Sequence, residues 1–164
     1  MMKSNIQSTS KVFLMCGPAG SGKSTLAKKL SKEFDMVRLS FDVESFKRGV
    51  VKHPLPEEIE NEIKELLDEK LIQYLESNQH VILDYSFWSK QSRRDYINLL
   101  KQYQVEPIIY YLNCPKDVVI SRIKERNGKH SDDIILDLDT AKLYFDHFEI
   151  PTEDEGKIIV VDSF

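Results

Sequence analysis

The sequence predicts an α/β fold in which a parallel sheet is covered by helices on both faces. Three observations carry this. Short apolar runs alternate with longer amphipathic segments along the chain. The apolar runs show no polar alternation, as expected of strands buried on both faces. The first run ends in a glycine-rich turn that opens a helix, as in a strand–loop–helix unit.

In chain order, Lys11 to Cys16 (K-V-F-L-M-C) reads as a strand ending at glycine, and Lys23 to Phe34 as a helix. Met36 to Phe41 is a second strand, ending at Asp42. Pro56 to Ser77 is the longest helix: Ile59, Ile63, Leu66, Leu67, Leu71, Tyr74 and Leu75 recur at helical spacing and form one apolar stripe. Pro56 suits the first turn, where a missing N–H costs nothing. His80 to Leu83 is a third strand, followed by Asp84. Ser89 to Gln104 is a helix with Ser89 at its N-cap. Pro107 to Leu112 is a fourth strand, Asp117 to Arg126 and Asp133 to Phe148 are helical, and Lys157 to Val161 is a fifth strand.

Bulk properties set the bounds. The 164 residues suit one domain. Without repeats, low-complexity segments or a linker, residues 11–164 are expected as that single domain and residues 1–10 as a flexible tail. A net charge of −4 and a pI near 5.6 exclude a global basic field for nucleic acid, though not a local basic cleft. Two cysteines, Cys16 and Cys114, lie in or beside apolar runs and are expected as reduced, buried thiols. The polar N-terminus does not read as a signal peptide, and no run approaches the roughly 20 apolar residues of a membrane span. A cytoplasmic protein is the expectation.

Gly17 to Thr25 reads G-P-A-G-S-G-K-S-T and satisfies G-x-x-x-x-G-K-[ST]. Gly17, Gly20 and Gly22 admit backbone geometry that a Cβ would obstruct. The turn, with Ala19 and Ser21 in it, directs N–H groups inward as a nest for phosphate oxygens, and the following helix adds its positive dipole end. Lys23 is expected at the β- and γ-phosphates, Ser24 on Mg²⁺ and Thr25 near the α-phosphate. The expected ligand is ATP with magnesium. The loop alone does not choose a reaction, because such loops also serve GTPases, motors and passive sensors.

Two aspartates fall where ligands of parallel sheets bind, beyond the carboxyl ends of strands. Asp84, after V-I-L, is expected to hold magnesium, or else to cap the following turn. Asp42, after R-L-S-F, is expected as the base that accepts a proton from an attacking hydroxyl, or else as the N-cap of a short helix through Lys47. Glu44 is a second candidate for the base. Arg122 and Arg126 are four apart on one helix face, and with Lys129 and His130 they suggest a lid around residues 122–132 that closes on the transferring phosphoryl group. The alternatives are surface arginines paired with acids such as Glu125 and Asp132, or Arg122 stacked on the adenine. Arg93 and Arg94 fit either an acceptor phosphate or a solvated helix. Trp88, with Phe87 and Tyr85, fits either an acceptor pocket or core packing.

These residues together resemble the small P-loop kinases of the predicted-kinase group (AAA-type ATP-binding), related to zeta-toxin-like, chloramphenicol phosphotransferase-like and polynucleotide 5′-hydroxyl kinases. The resemblance runs from Val12 to Asp162. It rests on the glycine-rich loop, S-F-D at Ser40 to Asp42, V-I-L-D at Val81 to Asp84, Y-L-N-C-P-K-D-V-V-I-S-R-I-K-E-R-N at Tyr111 to Asn127, and F-E-I-P-T-E-D-E at Phe148 to Glu155. It implies a three-layer P-loop NTPase fold, nucleoside-monophosphate-kinase-like, with a five-stranded parallel sheet of order 2-3-1-4-5. It further implies ATP as donor, Asp42 as base, Arg122 and Arg126 as lid residues, and Pro151 to Glu155 near the adenine. The region D-Y-S-F-W-S-K departs from the acceptor segment of nucleoside monophosphate kinases, so the acceptor stays open between a small-molecule hydroxyl and a nucleic-acid end. The competing reading is a nucleotide-gated regulatory or toxin-like module. A GTPase is disfavoured, because N-C-P-K at Asn113 to Lys116 is no guanine signature.

Overall fold

The computed structural model describes residues 7–50, 55–126 and 136–162, and of Arg126 the backbone only. Five strands, β1 (Val12–Cys16), β2 (Val37–Ser40), β3 (Val81–Asp84), β4 (Ile108–Asn113) and β5 (Lys157–Asp162), form one parallel sheet of order β2-β3-β1-β4-β5. The helices are α1 (Lys23–Phe34), α2 (Phe41–Lys47), α3 (Glu57–Glu76), α4 (Lys90–Lys101), α5 (Lys116–Arg126) and α6 (Leu138–His147), with a 3-10 turn at Glu153–Glu155.

Strand alternation divides the core between two layers of helix. Val12, Leu14 and Cys16 of β1 face Leu67, Leu71 and Leu75 of α3 and Leu100 of α4. Phe13 and Met15 face Ala27 and Leu30 of α1 on the opposite side. Every residue of β1 is therefore buried, which is why its sequence carries no polar alternation. On α3 the stripe is realised: Ile63, Leu67, Leu71 and Leu75 are fully buried, each contributing about 2 kcal/mol of burial free energy. A third cluster, Val119 and Ile123 of α5 with Leu136 and Ala141, packs beneath Ala19 of the glycine-rich loop.

Element boundaries follow the sequence closely. The expected Ser89 cap is present, its side chain accepting from Ser92 N–H. The last helix starts at Leu138, where Asp137 caps it by accepting from Thr140 N–H. Within the segment expected as a tail, Ser8 and Ser10 are buried; Ser8 N–H donates to the Tyr103 carbonyl (2.9 Å) and Thr9 N–H to Asn78 Oδ1 (2.9 Å). Both cysteines are buried free thiols. Among the described residues, no helix is long and apolar enough to cross a membrane.

The order 2-3-1-4-5 places β1 between β3 and β4, so the crevice at its carboxyl end opens between the loops after β1 and β3. The pairing of Ser40 with Asp84 brings the end of β2 to the same edge.

Candidate functional site

A cleft of about 750 Å³ lies at that edge. Pro18, Ala19, Gly20, Lys23 and Ser24 line one part of it, and Asp42 and Asp84 line it as well. An aromatic wall of Phe41, Tyr85, Phe87, Trp88 and Tyr96 continues from there. The two strand-end aspartates and the glycine-rich loop, read separately in the sequence, thus border one cavity.

The loop is shaped by backbone that only glycine adopts readily. Gly20 (φ 83°) and Gly22 (φ 90°) are left-handed, and Gly22 occupies the N-cap of α1. A Cβ on Gly20 would stand 2.8 Å from the Val119 carbonyl oxygen of α5. The loop is thus seated directly on α5. It is also joined to the loop after β3, where Gly17 N–H donates to the Ser86 carbonyl (3.3 Å). Thr25 lies in the first turn of α1, one residue beyond the cleft-lining Ser24.

Asp84 is buried at the centre. Lys23 Nζ lies 3.5 Å from Oδ1, while Arg38 Nε and Nη2 reach Oδ2 at 2.8 and 2.7 Å. The sequence alone does not single out Arg38. Its signal was an arginine inside an otherwise apolar strand, two residues before the strand's end and hence on the face of Ser40. A pair of cationic side chains thus holds the Asp84 carboxylate.

The N-cap of α2 is Ser40, which accepts from Val43 N–H at 3.3 Å. Asp42 therefore sits in the first helical turn and lines the cleft, and the N-cap alternative does not hold. Glu44 is buried and pairs with Lys47 (3.4 Å) and Arg48 (3.4 Å), outside the cleft lining.

Arg122 extends from α5 to the loop, with Nη1 3.5 Å from the Gly20 carbonyl and 3.6 Å from Cys114 Sγ. Of the expected lid, residues 122–125 are described, whereas the Arg126 side chain and residues 127–132, with Lys129, His130 and Asp132 among them, lie outside the described residues.

Arg93 takes neither role the sequence suggested. It is fully buried, bridges Glu155 through Nε (2.6 Å) and Nη2 (3.3 Å), and donates from Nη1 to the Phe87 carbonyl (2.6 Å). Burial pushes the Glu155 carboxyl up, but the Arg93 hydrogen bond and the Thr152 N–H outweigh it and hold it below the ordinary value. Burial likewise pushes the neighbouring Cys16 thiol up to about 12 against the opposing Arg93 charge, so it stays protonated. The clamped Phe87 is itself left-handed (φ 49°). Glu149 completes the fastening: its N–H donates to the Trp88 carbonyl (2.8 Å) and its Oε1 accepts from Lys90 N–H (2.7 Å). The loop carrying Phe87 and Trp88 is thus bound to the 149–155 segment.

Among the described residues, no group of three or more His, Cys, Asp and Glu side chains forms a metal cage. Ser24 and Asp84 both line the cleft beside Lys23 and offer a hydroxyl and a carboxylate, both hard oxygens. That set fits magnesium, which takes one or two protein ligands and completes its shell with water and phosphate oxygens.

A phosphate loop at the end of β1, with its lysine 3.5 Å from a buried aspartate at the end of β3, defines a P-loop nucleotide-binding site. A family model described as an AAA domain matches residues 12–151, and the chain belongs to that family. It is similar to the uridylate kinase of Saccharomyces cerevisiae, 28% identical over 152 residues covering 85% of this chain and 72% of that protein. It is also similar to the L-seryl-tRNA(Sec) kinase of Methanococcus maripaludis, 25% identical over 130 residues covering 77% of this chain and 50% of that protein. Of solved structures, Chaetomium thermophilum Kti12 in complex with ADP-AlF3 shares the fold, with a TM-score of 0.72 at 15% identity over 93% of this chain and 89% of that one.

Proposed function

We propose that the chain transfers the γ-phosphate of ATP to a hydroxyl of an acceptor bound between Asp42 and Trp88. The observation that carries this is the position of Asp42, which lines the same cleft as the phosphate loop while Ser40 caps its helix. Asp42 takes the proton from the acceptor hydroxyl as the oxygen attacks phosphorus. Lys23 turns from Asp84 to the β- and γ-phosphates. Ser24 and Asp84 would hold magnesium, which when bound neutralises phosphate charge. The N–H groups of Ala19, Gly20, Ser21 and Gly22 cradle the phosphates, and Gly17 lets the chain turn beside them. Arg122, already beside the Gly20 carbonyl, reaches the transferring group. Arg38 keeps the Asp84 carboxylate oriented. Two reduced thiols support a cytoplasmic setting.

A nucleotide-gated module without transfer is the weaker reading, since the family relatives are kinases acting on uridylate and on seryl-tRNA(Sec) by name. The test is Asp42→Asn with γ-labelled ATP against pooled metabolites, nucleosides and 5′-hydroxyl oligonucleotides. Transfer should fall by about 10²–10⁴-fold, as for loss of a general base, with ATP affinity nearly intact. Transfer at the wild-type rate would remove Asp42 from its role.

A further inference from the structure

The far half of the cleft has a chemical character of its own. Phe41 and Tyr85 meet edge to face at 4.9 Å, and Tyr85, Phe87 and Tyr96 lie 5.4–5.6 Å from one another. These rings make a rigid floor. Trp88 stands beside it, 52% exposed, although its loop is fastened by Glu149. A large aromatic held open to solvent on an anchored backbone is a ready stacking surface.

Tyr85 lies in the cleft wall and is 5% exposed, and among the described residues its hydroxyl has no hydrogen-bond partner. A buried hydroxyl in that condition calls for a polar atom from something bound.

Charge points the same way. Besides Lys23, the basic side chains lining the cleft among the described residues are Lys64 and His147. Lys64 is bound to Asp68 at 2.7 Å and lies over the Tyr96 ring at 5.6 Å. His147 Nδ1 is 2.8 Å from the Leu143 carbonyl. Asp42 and Glu60 line the cleft as carboxylates, and Asp68 stands behind Tyr96, accepting from its hydroxyl at 2.6 Å. Arg93, three residues before Tyr96, is enclosed with Glu155. A phosphorylated acceptor would meet these two carboxylates, and among the described residues no arginine lines this half of the cleft to grip phosphate bidentately.

From this juxtaposition of aromatic floor, open Trp88, unpartnered Tyr85 hydroxyl and lining carboxylates, we infer that the acceptor is an unphosphorylated alcohol with a flat apolar body. A nucleoside monophosphate and a polynucleotide end are the classes it is tested against. This rests on the kinase reading above and narrows its acceptor. The flat body stacks on Trp88, a polar atom of the acceptor pairs with the Tyr85 hydroxyl, and the reacting hydroxyl faces Asp42.

Trp88 is the only tryptophan in the chain, so its fluorescence reports the site directly. The full-length protein is titrated, with and without magnesium–ATP, using matched probes: uridine, thymidine and adenosine against their 5′-monophosphates, together with 2-phenylethanol and a 5′-hydroxyl oligonucleotide. Transfer of γ-labelled phosphate is measured for each. Saturable fluorescence change and at least about tenfold higher kcat/KM for neutral members are expected, the size of a lost stacking or hydrogen-bonding contact. Trp88→Ala and Tyr85→Phe should raise KM for the preferred probe with kcat little changed, and Trp88→Phe should recover most of the loss. Equal or better use of the monophosphates or the oligonucleotide overturns the inference and leaves the kinase reading standing. Absence of any Trp88 response to every neutral probe also overturns it. Binding of neutral probes without transfer to any of them supports the acceptor class and sinks the kinase reading instead.

Discussion

Replacing Glu155 with alanine removes the charge partner of a fully buried guanidinium. Arg93 has no exposure to water, and the Glu155 side chain is 9% exposed, so solvent does little to screen the pair. The Phe87 carbonyl still accepts from Nη1, which keeps the penalty at the lower end for a broken buried pair, about 3 kcal/mol. At about 3 °C per kcal/mol for a chain of this size, the thermal midpoint at neutral pH should fall by about 9 °C. The Glu155 carboxyl is held below its ordinary value in the folded protein. Its stabilisation is therefore complete above the unfolded value of about 4.3 and is lost as pH falls through the lower folded value. Circular-dichroism melts of wild type and Glu155→Ala should accordingly differ most near neutrality and converge in acid. Adding Arg93→Met to Glu155→Ala should restore much of the midpoint, because an apolar side chain of similar volume has no charge to leave unpaired. A neutral-pH difference under about 3 °C, or one that does not shrink in acid, would refute the clamp as the fastening of the loop carrying Phe87 and Trp88.

Three further outcomes follow from the packing. Gly20→Ala combines a left-handed φ with a backbone oxygen 2.8 Å from the new Cβ, so it should cost about 2 kcal/mol and weaken nucleotide binding, read by calorimetric titration with ATP. Arg38→Met leaves the buried Asp84 with Lys23, at 3.5 Å, as its remaining ion partner among the described residues and should lower stability by about 3 kcal/mol, measured by urea denaturation; an unchanged midpoint would mean that Arg38 does not support the carboxylate. Leu67→Ala, at a fully buried position between α3 and the sheet, should cost about 3 kcal/mol while leaving ATP affinity intact at a temperature where the variant is folded.

Much of the fold was legible in the chain because it is written in local patterns. Helix α1 begins at Lys23 because a left-handed glycine precedes it, and α3 follows an apolar period that recurs through Leu75. The phosphate loop is a contiguous stretch whose chemistry resides largely in its own backbone, so Gly17 to Thr25 could be read without knowing what surrounds it. Side-chain pairing is a different matter. Arg38 and Asp84 are 46 residues apart, and Arg93 and Glu155 are 62 apart. No periodicity or cap links such positions, and a charged residue reads as solvated until the fold closes over it. Arg93 accordingly offered two roles in the sequence and has a third in the structure. For Asp42 the sequence left a base and a helix cap in competition; the first turn of α2, capped by Ser40, decided between cap and cleft. The sequence by itself determined the nucleotide loop, the order of strands and helices, and the family. Only the tertiary structure decided which charges are buried against one another and which aromatic side chains line the cleft beyond the phosphate loop, because those depend on which distant segments the parallel sheet brings to one edge.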